Sequence, residues 1–180
     1  MKISIDHISE KPLALHSQEP ALSFPLLAQM QADGTCSFIG PVRCDATVVR
    51  EYDHVRVTGR ITVPVALVCS RCLVDYESLL DSSFTIIFRK ATAEEGVLEE
   101  ETELSEQDLI ASCYHGDEID MTHEIEEQIS MEVPVQPLCG DSCKGLCPEC
   151  GTDLNHDTCS CSASQFNFKF SALKDFKASR

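Results

Sequence analysis

Six of the chain's 11 cysteines lie between residues 139 and 161, in CGDSCKGLCPECGTDLNHDTCSC. This spacing constrains the fold more than any other feature, because sulfurs that share one ion hold their backbones close together. Zinc takes four thiolates or imidazoles in a tetrahedron, about 2.3 Å from each sulfur. Cys147-Pro-Glu-Cys150 places two sulfurs on one turn. Pro148 pre-sets φ for that turn, and Gly151 after it can take positive φ. Cys159-Ser-Cys161 follows across eight polar, turn-prone residues, GTDLNHDT. Cys147, Cys150, Cys159 and Cys161 are therefore a compact candidate four-sulfur site, with His156 able to replace one cysteine. Zinc and iron both suit four thiolates; zinc, being redox-silent, is the preferred structural ion.

Cys139 and Cys143 need other partners. A helix carrying them with Cys147 at four-residue spacing is disfavoured by Gly140, Gly145 and Pro148. The chain offers Cys69-Ser-Arg-Cys72, directly after a long alternating run. Cys69, Cys72, Cys139 and Cys143 would make a second site that staples distant parts of the chain together. Loop closure costs only about 0.6 kcal/mol per doubling of length. A structural zinc supplies on the order of 10 kcal/mol. Ligand pairing is not readable from spacing alone, so one or two structural Zn²⁺ ions are expected. A thioredoxin-like dithiol at Cys69 and Cys72 would need a βαβ setting, whereas DYESLLDSSFTIIF after it reads as strand or hairpin. Cys36, Cys44 and Cys113 are isolated, and Cys44 falls on an apolar strand face as a buried thiol.

The alternating run is VRVTGRITVPVAL, residues 55–67. Val55, Val57, Ile61, Val63, Val65 and Leu67 share one parity, and Arg56, Thr58, Arg60 and Thr62 the other, as in a strand with one wet face. Pro64 on the wet parity suggests an edge strand or a bulge. Val42, Cys44, Ala46 and Val48 form a second strand, and Phe84, Ile86 and Phe88 a third. All three are expected to be antiparallel, since no crossover helix separates them. A weaker strand is expected near 109–114. Residues 120–133 read as a helix, capped by Asp120 or Thr122 and ended by Pro134. Met121, Ile125, Ile129 and Val133 form its apolar stripe, with Glu124, Glu126, Glu127 and Glu132 outside. The fold class is thus α+β: an antiparallel β-sheet or partial barrel with an acidic amphipathic helix and a C-terminal cysteine-rich zinc-binding segment.

The formal net charge is −16, and it has one source. Residues 91–143 hold 16 acids and no Lys or Arg, while the remainder balances at 14 acids and 14 bases. Within this segment, 91–108 reads as a solvated acidic insert. The tail, FNFKFSALKDFKASR, interleaves phenylalanines with lysines. It reads as a docked helix, or alternatively as an RNA-contacting tail. Three regions result: a β-rich α+β domain at 1–135 carrying the insert, a zinc-binding knuckle or ribbon at 136–165, and a basic-aromatic tail at 166–180. The N-terminal stretch MKISIDHISEKPLAL is interrupted by charge, so it is no signal peptide, and no apolar run spans a membrane. The cytoplasm, where thiols stay reduced, is the expected compartment.

Enzyme signals are missing. There is no glycine-rich phosphate loop, no Gly-x-Ser-x-Gly and no His-Glu-x-x-His. A closed four-cysteine site leaves no position for substrate, so neither catalysis nor a small-molecule substrate is expected. Three stretches together, ITVPVALVCSRCL (61–73), IDMTHEIEEQISMEVPVQPLC (119–139) and CKGLCPECGTDLN (143–155), resemble the YceD-like family. Its members are called large ribosomal RNA subunit accumulation proteins, and FSALKDF resembles the family's closing segment. The resemblance runs over roughly residues 40–180. It implies a non-catalytic ribosome-biogenesis factor of the bacterial or organellar cytoplasm. Such a factor supports large-subunit ribosomal RNA and acts through that RNA or through ribosome-assembly proteins, whose basic charge the acidic segment complements. A redox-switched zinc chaperone and a small zinc-ribbon nucleic-acid module remain open as alternatives.

Overall fold

A computed structural model of the chain describes residues 1–91 and 111–161. In chain order its elements are β1 (Lys2–Ser4), β2 (Leu13–Glu19), α1 (Pro25–Ala32), β3 (Ser37–Phe38), β4 (Val42–Glu51), β5 (His54–Val68), β6 (Asp75–Lys90), β7 (Ala111–Tyr114), β8 (Glu118–Asp120) and α2 (Thr122–Glu132). The architecture is α+β. Most of the acidic insert and the whole basic-aromatic tail lie outside the described residues.

The sheet grows from the long alternating strand. β5 pairs antiparallel with β4 on one side and with β6 on the other. Every apolar residue of its inner parity, from Val55 to Leu67, is buried. Val42, Cys44, Ala46 and Val48 of β4 share that face, as do Phe84 and Phe88 of β6. β2 extends the sheet beyond β4. β7 lies beyond β6 and runs parallel to it, so the sheet is mixed. Its strand order is β2-β4-β5-β6-β7, with β3 pairing β5 beside this path. The order is that of an open sheet. A second, two-stranded sheet joins β1 to β8 antiparallel.

Pro64 corrects the edge-strand half of one expectation, while the register of β5 with its neighbours shifts by two residues between β4 and β3 beside it. β5 is the central strand, with no edge at Pro64. In an antiparallel strand the N–H and C=O of one residue point the same way. The Pro64 carbonyl accepts from the Ile39 amide (3.0 Å), so its missing N–H faces the seam where β4 ends and β3 begins. The proline therefore interrupts no continuous ladder. Gly40 crosses this seam against the ring: a Cβ there would meet Pro64 Cγ at 2.5 Å.

Helix α2 packs on β5, β6 and α1. Met121, Ile125 and Ile129 are buried, and Val133 is half-buried against the same core. The N-cap position falls on Met121, which offers no side-chain cap; Asp120 just before it accepts through Oδ1 from the Thr122 amide (3.0 Å) and hydroxyl (2.6 Å). Glu126 departs from the expected outward face and is buried. Its Oε2 accepts from the Leu26 amide (3.0 Å), in the first turn of α1. That helix begins at Pro25, with no capping side chain of its own. The four leading amides of a helix lack intrahelical acceptors, and a carboxylate there also meets the positive end of the dipole. A heptad-type reading assigns faces by periodicity alone, and it cannot see that another helix end sits over this position.

Replacing Glu126 with alanine is expected to destabilise the protein by about 1–2 kcal/mol. The Glu126→Gln change keeps an acceptor and should lose less. Denaturant midpoints of the two variants check this; an unaltered midpoint in Glu126→Ala would contradict the cap.

Candidate metal centres

The turn between β5 and β6 is the stretch Cys69–Val74. Its hydrogen bonds close it tightly: the Leu73 amide donates to the Cys69 carbonyl (2.9 Å), and the Cys69 amide to the Val74 carbonyl (3.0 Å). Leu73 takes φ of 60°, a left-handed conformation that disfavours a side chain by on the order of 1 kcal/mol. The second Cys-x-x-Cys repeats this geometry. The Gly151 amide donates to the Cys147 carbonyl (2.9 Å), the Cys147 amide to the Thr152 carbonyl (2.8 Å), and Gly151 has φ of 74°. The two turns are therefore copies of one knuckle, one with glycine and one with leucine at the left-handed position. The missing glycine after Cys72 hides this equivalence in the sequence.

After α2 the chain returns to the first knuckle. The Ser70 amide donates to the Pro137 carbonyl (2.8 Å), and the Leu146 amide to the Arg71 carbonyl (3.0 Å). Arg71 Nη1 donates to the Cys143 carbonyl (2.9 Å). Gly145 permits this approach. Its φ is 75°, and a Cβ there would meet the Arg71 carbonyl oxygen at 3.0 Å. The docking brings Cys69, Cys72, Cys139 and Cys143 together, with all four Sγ atoms within 4.8 Å of one another. Cys69 Sγ lies 3.8 Å from Cys143 Sγ, and Cys72 Sγ 3.6 Å from Cys139 Sγ. A tetrahedron of sulfurs about 2.3 Å from a zinc has edges of about 3.8 Å, so the donor set fits such an ion. Cys69, Cys72 and Cys143 are buried, and Cys139 is exposed.

Cys147, Cys150, Cys159 and Cys161 form the second cluster, again within 4.8 Å of one another. It is more open: Cys147 is buried, Cys159 and Cys161 are half-buried, and Cys150 is exposed. His156 is not part of it. Its ring is 81% exposed and lies 3.9 Å from Asp153 Oδ2. Both clusters can therefore hold a metal ion on sulfur alone.

Hydrogen-bond donors favour the anion at one sulfur in each cluster. Amides of Cys139, Cys72 and Arg71 hydrogen-bond to the Cys69 sulfur and pull its pKa down to about 6. The Thr152 hydroxyl and amide do the same for Cys150, also to about 6. Neighbouring thiols act the other way: Cys72 and Cys143 push Cys139 up to about 12, and Cys150 does so for Cys161. Four sulfurs so close cannot all ionise without a compensating cation, which is the charge pattern a divalent ion resolves. Cys44, by contrast, is raised to about 11 by burial, and Cys36 is raised for the same reason. Both are core thiols. Cys113 is exposed on β7.

Comparison with known proteins places these features in a family. The model of the family described as "Large ribosomal RNA subunit accumulation protein YceD" matches residues 57–177, from within β5 through both cysteine clusters. An uncharacterized protein of Mycobacterium leprae is 30% identical over 114 residues, covering 63% of this chain and 49% of that protein. A chloroplastic protein of Arabidopsis thaliana, named large ribosomal RNA subunit accumulation protein YCED homolog 1, is 25% identical over 148 residues, covering 72% and 44%. The homolog of the same name in Zea mays is 26% identical over 142 residues, covering 67% and 48%. The chain thus spans about half the length of the relatives it matches. No solved structure matches it. With two thirds of its length matched by one family model, including all eight clustered cysteines, the chain belongs to the YceD family of large ribosomal RNA subunit accumulation proteins.

Proposed function

We propose that the protein is a non-catalytic factor of large-subunit ribosome assembly, held in shape by two structural zinc ions. The family match across both cysteine clusters carries this reading. Family membership supplies the ribosome-related role. The all-sulfur, four-donor composition of each cluster favours a closed structural ion, because four protein ligands leave no coordination position for a substrate. The residues that would hold the first ion are Cys69, Cys72, Cys139 and Cys143; those for the second are Cys147, Cys150, Cys159 and Cys161. Each ion would neutralise thiolate charge and fix the segment it binds. The protein then works in the cytoplasm by binding ribosomal RNA or assembly proteins. The formal charge of −16 favours basic protein partners over direct contact with bare phosphate. Among the described residues no helix is long and apolar enough to cross a membrane.

A redox-switched chaperone is the second reading, and the exposure of Cys139 and Cys150 favours it, since an oxidant can reach one sulfur of each cluster. Peroxide should then release zinc and elicit suppression of aggregation in a client-protein assay. Zinc retained under peroxide, with no such activity, removes that reading.

Protein purified under reducing conditions is expected to carry two zinc ions per chain by elemental analysis. One ion per chain would leave one cluster as plain thiols, and none would overturn the structural-metal reading. Cells lacking the protein are expected to show a lowered ratio of mature large-subunit to small-subunit ribosomal RNA. The wild-type chain should restore it, and Cys69→Ser/Cys72→Ser should not. A ratio that stays level in the depleted cells would count against the assembly role.

A further inference from the structure

The loop GTDLNHDT between Cys150 and Cys159 reads in the sequence as a polar spacer. In the fold it reaches out of its own cluster. Asn155 Nδ2 donates to the Cys143 sulfur (3.5 Å), a member of the first cluster. Asn155 Oδ1 accepts from the Lys144 amide (2.8 Å), on the segment that carries that sulfur. The same Nδ2 also donates to Asp153 Oδ1 (2.7 Å), and Asp153 Oδ1 accepts from the Asn155 amide (2.9 Å). A flipped side-chain amide would aim its oxygen at a carboxylate and a sulfur, so these partners set its orientation.

The loop is docked along its length. Leu154 donates its amide to the Gly145 carbonyl (2.9 Å), and Leu146 forms a bridge with Asp153. The Asp153 carbonyl accepts from the His156 amide (3.3 Å) and the Asp157 amide (2.9 Å), closing the turn that presents Asn155. Both ends of this loop are ligands of the second cluster. An ion there pins residues 150 and 159. Without it the loop keeps only its hydrogen-bonded contacts to residues 144–147, and more of its ordering entropy must be met whenever Asn155 engages the sulfur.

We infer that the two cysteine clusters bind metal cooperatively, with Asn155 as the positioning residue that couples them; this rests on the structural-metal reading above. An N–H donor stabilises a metal-bound thiolate, and partners of this kind change metal affinity by about 10–100-fold. Because coupling between binding sites is reciprocal, an ion in the first cluster also strengthens the second. The first cluster ties the chain to the sheet, and the second locks the loop that completes it.

Co²⁺ loading tests this, since its thiolate absorption reports occupancy while an excess of chelator withdraws the ion. The wild-type phase belonging to the first cluster is the one lost in Cys69→Ser/Cys72→Ser. Emptying the second cluster with Cys159→Ser/Cys161→Ser is expected to speed release from the first by about 10–100-fold. Asn155→Ala alone should reproduce most of that change, and should add little to Cys159→Ser/Cys161→Ser, as non-additivity within one network requires. Asp157→Ala, in the same loop but off the sulfur, should leave release unchanged. Should the double serine variant not fold, the Asn155→Ala and Asp157→Ala pair still decides the matter. First-cluster release unaffected by Asn155→Ala, or additive effects of the two changes, overturns the coupling while leaving two metal sites standing. A chain that takes up no ion at either cluster overturns the metal reading and the coupling together.

Discussion

Two backbones meet at the tip of the β5–β6 hairpin, and the placement of both cysteine clusters depends on that meeting. The hairpin is long, 15 and 16 residues on its two strands, so its tip projects well past the ends of β4. Hydrogen bonds hold the tip, from Ser70 to Pro137, Arg71 to Cys143 and Leu146 to Arg71, beside a small apolar cluster around the sulfurs. The sulfurs of Cys69, Cys72, Cys139 and Cys143 sit inside this lattice of amides. Each such bond contributes only about 1 kcal/mol net. A shared divalent ion would add on the order of 10 kcal/mol, which is large against the entropy of closing the intervening chain.

The hydrophobic core lies on the other side of this division of labour. It is built from the inner faces of β4, β5 and β6 under α1 and α2, and its largest buried side chains include Phe24, Phe88, Leu27 and Ile61. The first cysteine cluster forms a separate buried group with Tyr76, Leu138 and Leu146 packed on it. Tyr76 packs against both groups and links them. The β-rich part thus has an apolar core of its own. The cysteine-rich segment, with few large apolar residues, relies on turns, sulfur and docking.

Charge follows the same partition. Of the acids of α2, Glu127 and Glu132 face water, Glu124 is half-buried, and the fully buried one, Glu126, ends on a helix N-terminus. Paired charges on the outer face of the sheet, such as Arg60 with Asp81 and Arg56 with Glu51, cancel locally. The net negative charge is carried in the sequence by residues 91–143, between β6 and the second knuckle.

Much of this was legible in the residues. Alternation over 55–67 identified β5 and its buried face, since side chains two residues apart must share a face of a strand. Four-residue spacing identified α2 for the equivalent helical reason. The short N-terminal elements were not legible. β2 carries Ser17 and Glu19 on its half-buried parity, and β1 and β8 have three residues each, too few to show a period. Pro64 misled because its tolerance depends on a seam between two other strands. Glu126 misled because its partner is an amide 100 residues away. By itself, the sequence determined which cysteines were paired in local knuckles, because a Cys-x-x-Cys turn is a matter of adjacent dihedral angles. Only the tertiary structure decided that Cys139 and Cys143 face Cys69 and Cys72, and that Asn155 reaches across to Cys143. Those contacts join positions that no local period relates, and they arise where the hairpin tip meets the returning chain.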